Sequence, residues 1–116
     1  MEESYKKFNM FWTFDNPGAF KFMVCKTVRD ALLQKGCESV RLTLFGPTTK
    51  LVAEQEQVRN GLLELMRDGV SVVACADSVA RYKVREQIES IGGIEIKKLA
   101  KRAADDSPPD EKIVLL

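Results

Sequence analysis

The segment Val70-Ser71-Val72-Val73-Ala74-Cys75-Ala76-Asp77-Ser78 is β-branched and almost wholly apolar up to its cysteine, and turns polar immediately after it. A run of this length suits a strand covered on both faces, the usual condition of a strand inside a parallel sheet. Asp77 and Ser78 offer caps for a following helix, which carries Ala80, Val84, Ile88 and Ile91 on one face. Gly92-Gly93 breaks that helix.

The same strand-then-helix unit precedes this segment twice. Ser39 to Phe45 alternates Val40, Leu42 and Leu44 against Arg41, Thr43 and Phe45, a period of two. Gly46-Pro47-Thr48-Thr49 is a turn into a helix with Leu51, Val52, Val58, Leu62, Leu65 and Met66 as its apolar positions, ended by Asp68-Gly69. Further upstream, Phe8 to Phe14 is an aromatic-rich strand. Asn16 caps the next helix and Pro17 takes its first position. That helix carries Phe20, Val24, Val28, Ala31 and Leu32 as its stripe and closes at Gly36.

Downstream the pattern weakens. Ile94 to Lys97 reads as a fourth strand, Lys98 to Ala104 as a short helix, 105–110 as a polar loop and Lys112 to Leu116 as a last strand. Strands alternating with helices predict right-handed crossovers, hence an α/β domain. We expect one domain over residues 1–116, three-layer α/β/α, with a mostly parallel sheet of about five strands.

Composition narrows the function. The 116 residues hold 18 basic and 17 acidic side chains, a formal net charge of +1. So even a balance creates no long-range field for nucleic acid, and no nucleic-acid partner is expected. No apolar run approaches the roughly 18 residues that span a bilayer, and no signal-peptide pattern follows Met1. Three cysteines at wide spacing form no disulfide or metal framework, which predicts a reducing, cytoplasmic setting. The chain has no histidine. That excludes a Ser-His or Cys-His pair and a His-ligated metal within one chain. None of the turns matches GxGxxG or GxxxxGK[ST], so neither cofactor nor metal is expected.

Ligands of open parallel sheets bind outside the carboxyl ends of the strands. That edge receives Asp15 to Gly18, Gly46 to Lys50, Cys75 to Ser78, and Lys97-Lys98. Cys75 is the candidate catalytic residue, because backbone N–H groups at a helix start favour thiolate over thiol. Asp77 opposes this, and Lys50 or Lys97 would offset it. Asn16, Gly18, Thr48, Thr49, Lys50 and Ser78 are candidate substrate-binding residues, since helix starts hold anions. For the threonines, ordinary capping is the competing reading. Cys25 lies beside its helix stripe with Lys21 and Arg29 at helical distance, and Cys37 follows a terminating glycine. Both read as structural.

Leu62 to Val84, and above all Arg67-Asp68-Gly69-Val70-Ser71-Val72-Val73-Ala74-Cys75-Ala76-Asp77-Ser78, resembles the DsrE/DsrF-like superfamily, which includes the TusD sulfur-relay proteins. The shared pattern is a helix, a Gly-Val step, a hydrophobic strand ending in Ala-Cys, a small residue and a helix cap. Ala80-Arg81-Tyr82-Lys83 stands where the sulfur-relay members have an arginine-rich, glycine-containing stretch. The resemblance implies a three-layer domain assembled as a homo- or hetero-oligomer, often a trimer or hexamer. It also implies a persulfide carried at the position of Cys75. The expected function is therefore a sulfur carrier that exchanges sulfane sulfur with protein donors and acceptors. The alternatives are a non-catalytic oligomeric subunit and a binder of small anions.

Overall fold

The computed structural model describes residues 6–33, 37–99 and 111–115. Five strands form one sheet in the order β4-β3-β2-β1-β5, and every neighbouring pair is parallel. They are β1 (Lys7–Trp12), β2 (Ser39–Leu44), β3 (Ser71–Cys75), β4 (Ile94–Lys97) and β5 (Glu111–Leu115). Register aligns Trp12 with Leu44, Leu44 with Ala74, and Cys75 with Lys97. The four carboxyl ends that the sequence reading joins thus lie along one edge.

Alternation sorts the strand residues. Phe8, Met10, Trp12, Val40, Leu42, Leu44, Val72 and Ala74 belong to one core cluster with Val24, Val28, Val52, Leu62, Leu65 and Ile88 from the helices. Asn9, Thr43, Val73 and Cys75 alternate with them, and are buried outside that cluster. On this second face Thr43 Oγ1 donates to Asn9 Oδ1 at 3.0 Å. The strands are therefore covered on both sides, as a parallel sheet requires.

The first connection is helical throughout but not uniform. Pro17–Ala19 (α1) is α-helical, Phe20–Val24 is a π-helical turn, and Cys25–Leu33 (α2) is α-helical again. Asn16 Oδ1 accepts from the Gly18 and Ala19 N–H groups at 2.8 and 3.2 Å, and Pro17 stands at the first position, as expected. The π turn seats Phe20 against Trp12, with ring centroids 5.1 Å apart. Gly36 lies outside the described residues.

The other two crossovers are each divided, where the apolar spacing predicts single helices. Gln55, with φ −105° and ψ 108°, separates α3 (Thr48–Glu54) from α4 (Glu56–Arg67). Arg59 Nη1 donates to the Ala53 carbonyl at 2.8 Å and so satisfies an acceptor left open by the break. Lys83, with φ 57° and ψ 45°, separates α5 (Ala76–Tyr82) from α6 (Arg85–Ile91). The kink turns Val79 into the core and leaves Ala80 exposed, so the expected stripe position shifts by one residue.

β1 to β4 follow one another across the sheet, and β5 returns to the far side of β1. Right-handed connections place forward and returning crossovers on opposite faces, which gives the three-layer α/β/α architecture. Lys98 and Leu99 are non-helical, and the rest of the helix expected over Lys98 to Ala104 lies outside the described residues. Among the described residues, no helix is long and apolar enough to cross a membrane.

Candidate functional site

A cavity of about 420 Å³ opens at the carboxyl edge, lined by Phe45, Gly46, Cys75, Asp77, Ser78, Arg81 and Leu99. Its walls come from the segments that leave β2, β3 and β4. The outgoing connections of β3 and β4 part, one entering α5 and the other returning toward β5. Such a divergence between neighbouring strands leaves a crevice above the sheet, where ligands of open α/β folds bind.

Cys75 is the last residue of β3 and the N-cap of α5, in extended conformation with φ −66° and ψ 121°. The helix begins one residue before the expected caps, at Ala76, and it carries no side-chain cap bond. Parity places Cys75 with Val73, on the sheet face opposite Val72 and Ala74. Its thiol is free and without a hydrogen-bond partner among the described residues, and the residue is 3 % exposed. The cavity is thus what connects this sulfur to the outside. Among the described lining residues the sole basic group is Arg81, where the sequence suggested Lys50 or Lys97.

The hydroxyls hold the cavity together. Thr48 is fully buried; its Oγ1 accepts from Phe45 N–H at 3.0 Å and donates to the Trp12 carbonyl at 2.9 Å. Thr49, also fully buried, donates to the Gly46 carbonyl at 2.9 Å. Ser78 Oγ accepts from Gly46 N–H at 2.8 Å. These bonds shape the β2–α3 turn into the cavity wall, and they occupy the threonine hydroxyls in capping-type contacts. Cys75 and Ser78 share the cavity, Lys50 is exposed and does not line it, and Asn16 and Gly18 lie elsewhere. Asn16 is engaged in capping.

Gly18 lines a larger groove of about 700 Å³ between the first connection and α4, with Phe20, Lys21, Cys25, Arg29, Gly61 and Glu64 among its walls. Burial raises the Cys25 thiol above its ordinary 9.0, Arg29 pulls it down, and Glu64 adds to the rise. Arg29 is shared with Glu64 at 3.7 Å and Asp68 at 3.5 Å, so its field is divided. The helical cations flanking Cys25 in the sequence do not activate it. Among the described residues no group of three or more Cys, Asp or Glu is placed to hold a metal ion.

No protein-family model matches the chain, and no curated protein matches it. Among solved structures, the conserved protein of unknown function BT1422 from Bacteroides thetaiotaomicron is similar with a TM-score of 0.84. It is 24% identical, over 96% of this chain and 95% of that one. The ychN protein from E. coli is similar with a TM-score of 0.62 and 18% identity, over 96% of this chain and 99% of that one. At these identities the likeness is one of fold, a three-layer α/β/α domain built on a five-stranded parallel sheet.

Proposed function

We propose that this chain is a small sulfur carrier, which takes up sulfane sulfur as a persulfide on Cys75 and passes it to an acceptor thiol. The observation that carries this reading is a thiol at the end of β3, free and unpartnered among the described residues, that lines a cavity at the carboxyl edge of the sheet; the resemblance of residues 62–84 to the DsrE/DsrF-like superfamily supports it. The Cys75 thiolate attacks the outer sulfur of a donor persulfide. The donor's S–S bond breaks and its inner sulfur departs as thiolate, so sulfur moves without an external oxidant. In the second half, an acceptor thiolate attacks the outer sulfur and Cys75 is released. The carried sulfur stands about 2 Å farther out than the thiol, within easier reach of an acceptor. The chemistry requires neither metal nor histidine.

The carrier reading includes self-association in the cytoplasm, as a trimer or hexamer, for which exposed Phe22 and Leu33 supply apolar surface. The deciding experiment is incubation with an organic persulfide, followed by mass spectrometry of the intact and digested protein. One added sulfur on the Cys75 peptide is expected, with none on that peptide in Cys75→Ser. Equal uptake by Cys75→Ser would remove the carrier role and leave an assembly subunit.

A further inference from the structure

The cavity over Cys75 has features that select among sulfur donors. It is small, at about 420 Å³, and Cys75, which lines it, is only 3 % exposed. Attack on a sulfane sulfur needs a nearly linear approach of three sulfur atoms. A cysteine on a broad protein surface reaches a recessed sulfur poorly, whereas a small donor enters the cavity whole. Charge then discriminates among small donors. Arg81 is exposed on α5 and makes no ion pair among the described residues, unlike Arg29 and Arg85, which do. Its guanidinium offers several N–H donors in a planar fork, the geometry that suits oxyanions. Asp77 lines the same cavity and repels anions, so recognition falls to Arg81.

We infer that Arg81 is a specificity residue that admits small anionic sulfane donors, of the thiosulfonate and thiosulfate class, to Cys75; this rests on the carrier function proposed above. With thiosulfate, the Cys75 thiolate attacks the outer sulfur, the S–S bond breaks, and sulfite leaves with the bonding pair. One thiolate and one thiosulfate dianion become one persulfide anion and one sulfite dianion, so charge and atoms balance. Arg81 holds the sulfonate oxygens while the bond breaks.

The test compares two donors on the full chain: thiosulfate, and an alkyl hydropersulfide, which has no sulfonate group for Arg81 to hold. Added sulfur on Cys75 is read by mass spectrometry, and sulfite release is followed for thiosulfate. Arg81→Gln is expected to raise the thiosulfate concentration for half-maximal loading about tenfold, the scale of one charge-assisted contact. Loading from the hydropersulfide should stay within about twofold, and Arg81→Lys should recover part of the loss. Asp77→Asn should shift thiosulfate loading the other way, and Lys50→Gln should leave it unchanged. Loading of the wild type by the hydropersulfide but not by thiosulfate overturns the inference and leaves the carrier role standing. So does thiosulfate loading that is indifferent to Arg81→Gln. Failure of both donors on folded protein overturns the carrier role itself.

Discussion

The Gly46 N–H donates to Ser78 Oγ across 2.8 Å, and this one bond ties the turn after β2 to the helix after β3. Residues 32 positions apart thereby form adjoining walls of the Cys75 cavity. Gly46 itself has φ 69°, a left-handed conformation that glycine adopts without strain, while the space beside it is open.

Removing the hydroxyl should loosen the cavity without dismantling the fold. Ser78→Ala is expected to lower stability by about 1 kcal/mol, the net worth of a part-buried hydrogen bond. Iodoacetamide should then reach Cys75 several-fold faster than in the wild type. Urea melts and peptide-resolved alkylation measure the two effects separately.

Packing of Phe20 against Gly61 predicts intolerance of any side chain there. A Cβ on Gly61 would stand 2.5 Å from Phe20 Cε2, and that ring also packs against Trp12, with centroids 5.1 Å apart. Overpacking costs about 1–3 kcal/mol, while alanine in place of a mid-helix glycine returns at most about 1 kcal/mol. Gly61→Ala should therefore be destabilising by about 1 kcal/mol. Combined with Phe20→Leu, its cost should fall short of the sum of the two single changes, as a double-mutant cycle in denaturant would show.

Trp12 is the single tryptophan, fully buried, with its indole Nε1 lacking a hydrogen-bond partner among the described residues. An unsatisfied buried donor costs about 1–3 kcal/mol, which offsets much of what a smaller ring loses in contacts. Trp12→Phe should fall within about 1 kcal/mol of the wild type, whereas Trp12→Ala should cost about 3–5 kcal/mol. In the wild type, the indole emission should shift to the red as the chain unfolds in urea, and circular dichroism supplies the midpoints for the variants.

Cys25 supplies a pH dependence. Its folded-state pKa is raised above 9.0, chiefly by burial, so the native chain holds this proton after the unfolded chain has lost it. The resulting contribution to stability is complete below the unfolded value and declines as pH rises from there through the folded value. Cys25→Ala should flatten the fall in urea midpoint on the alkaline side of 9.0. Alkylation of Cys25 should remain slow until pH exceeds that value.

Lys83 adopts φ 57° at the break between α5 and α6, a left-handed conformation that costs a non-glycine residue about 1 kcal/mol. The side chain is exposed, so little packing is lost on its removal. Lys83→Gly should raise stability by about 0.5 kcal/mol once the greater freedom of the unfolded chain is set against the relieved strain. A modest upward shift of the urea midpoint would bear this out.

The linear pattern contained the strands and their parallel order of connection. Periodicity is local, and Val40, Leu42 and Leu44, or Val70 to Cys75, declare a face and a length without help from distant residues. Asn16 and Pro17 likewise marked a helix start through chemistry confined to three residues. By contrast, the helix breaks at Gln55 and Lys83 were invisible, because neither residue is a breaker by its own chemistry. The π turn at Phe20–Val24 was hidden for the same reason, set by Trp12 and Gly61 from other elements.

The site divides in the same way. That a cysteine ends β3 on the carboxyl edge follows from residues 70–78 together with the strand–helix alternation around them, since strand length and parallel direction are enough to put it there. That Arg81 lines its cavity, and that Ser78 grips Gly46 in place of capping α5, depended on the third dimension. Side chains from different strand ends meet only where the sheet's twist and two diverging connections bring them, and no spacing along the chain encodes that meeting.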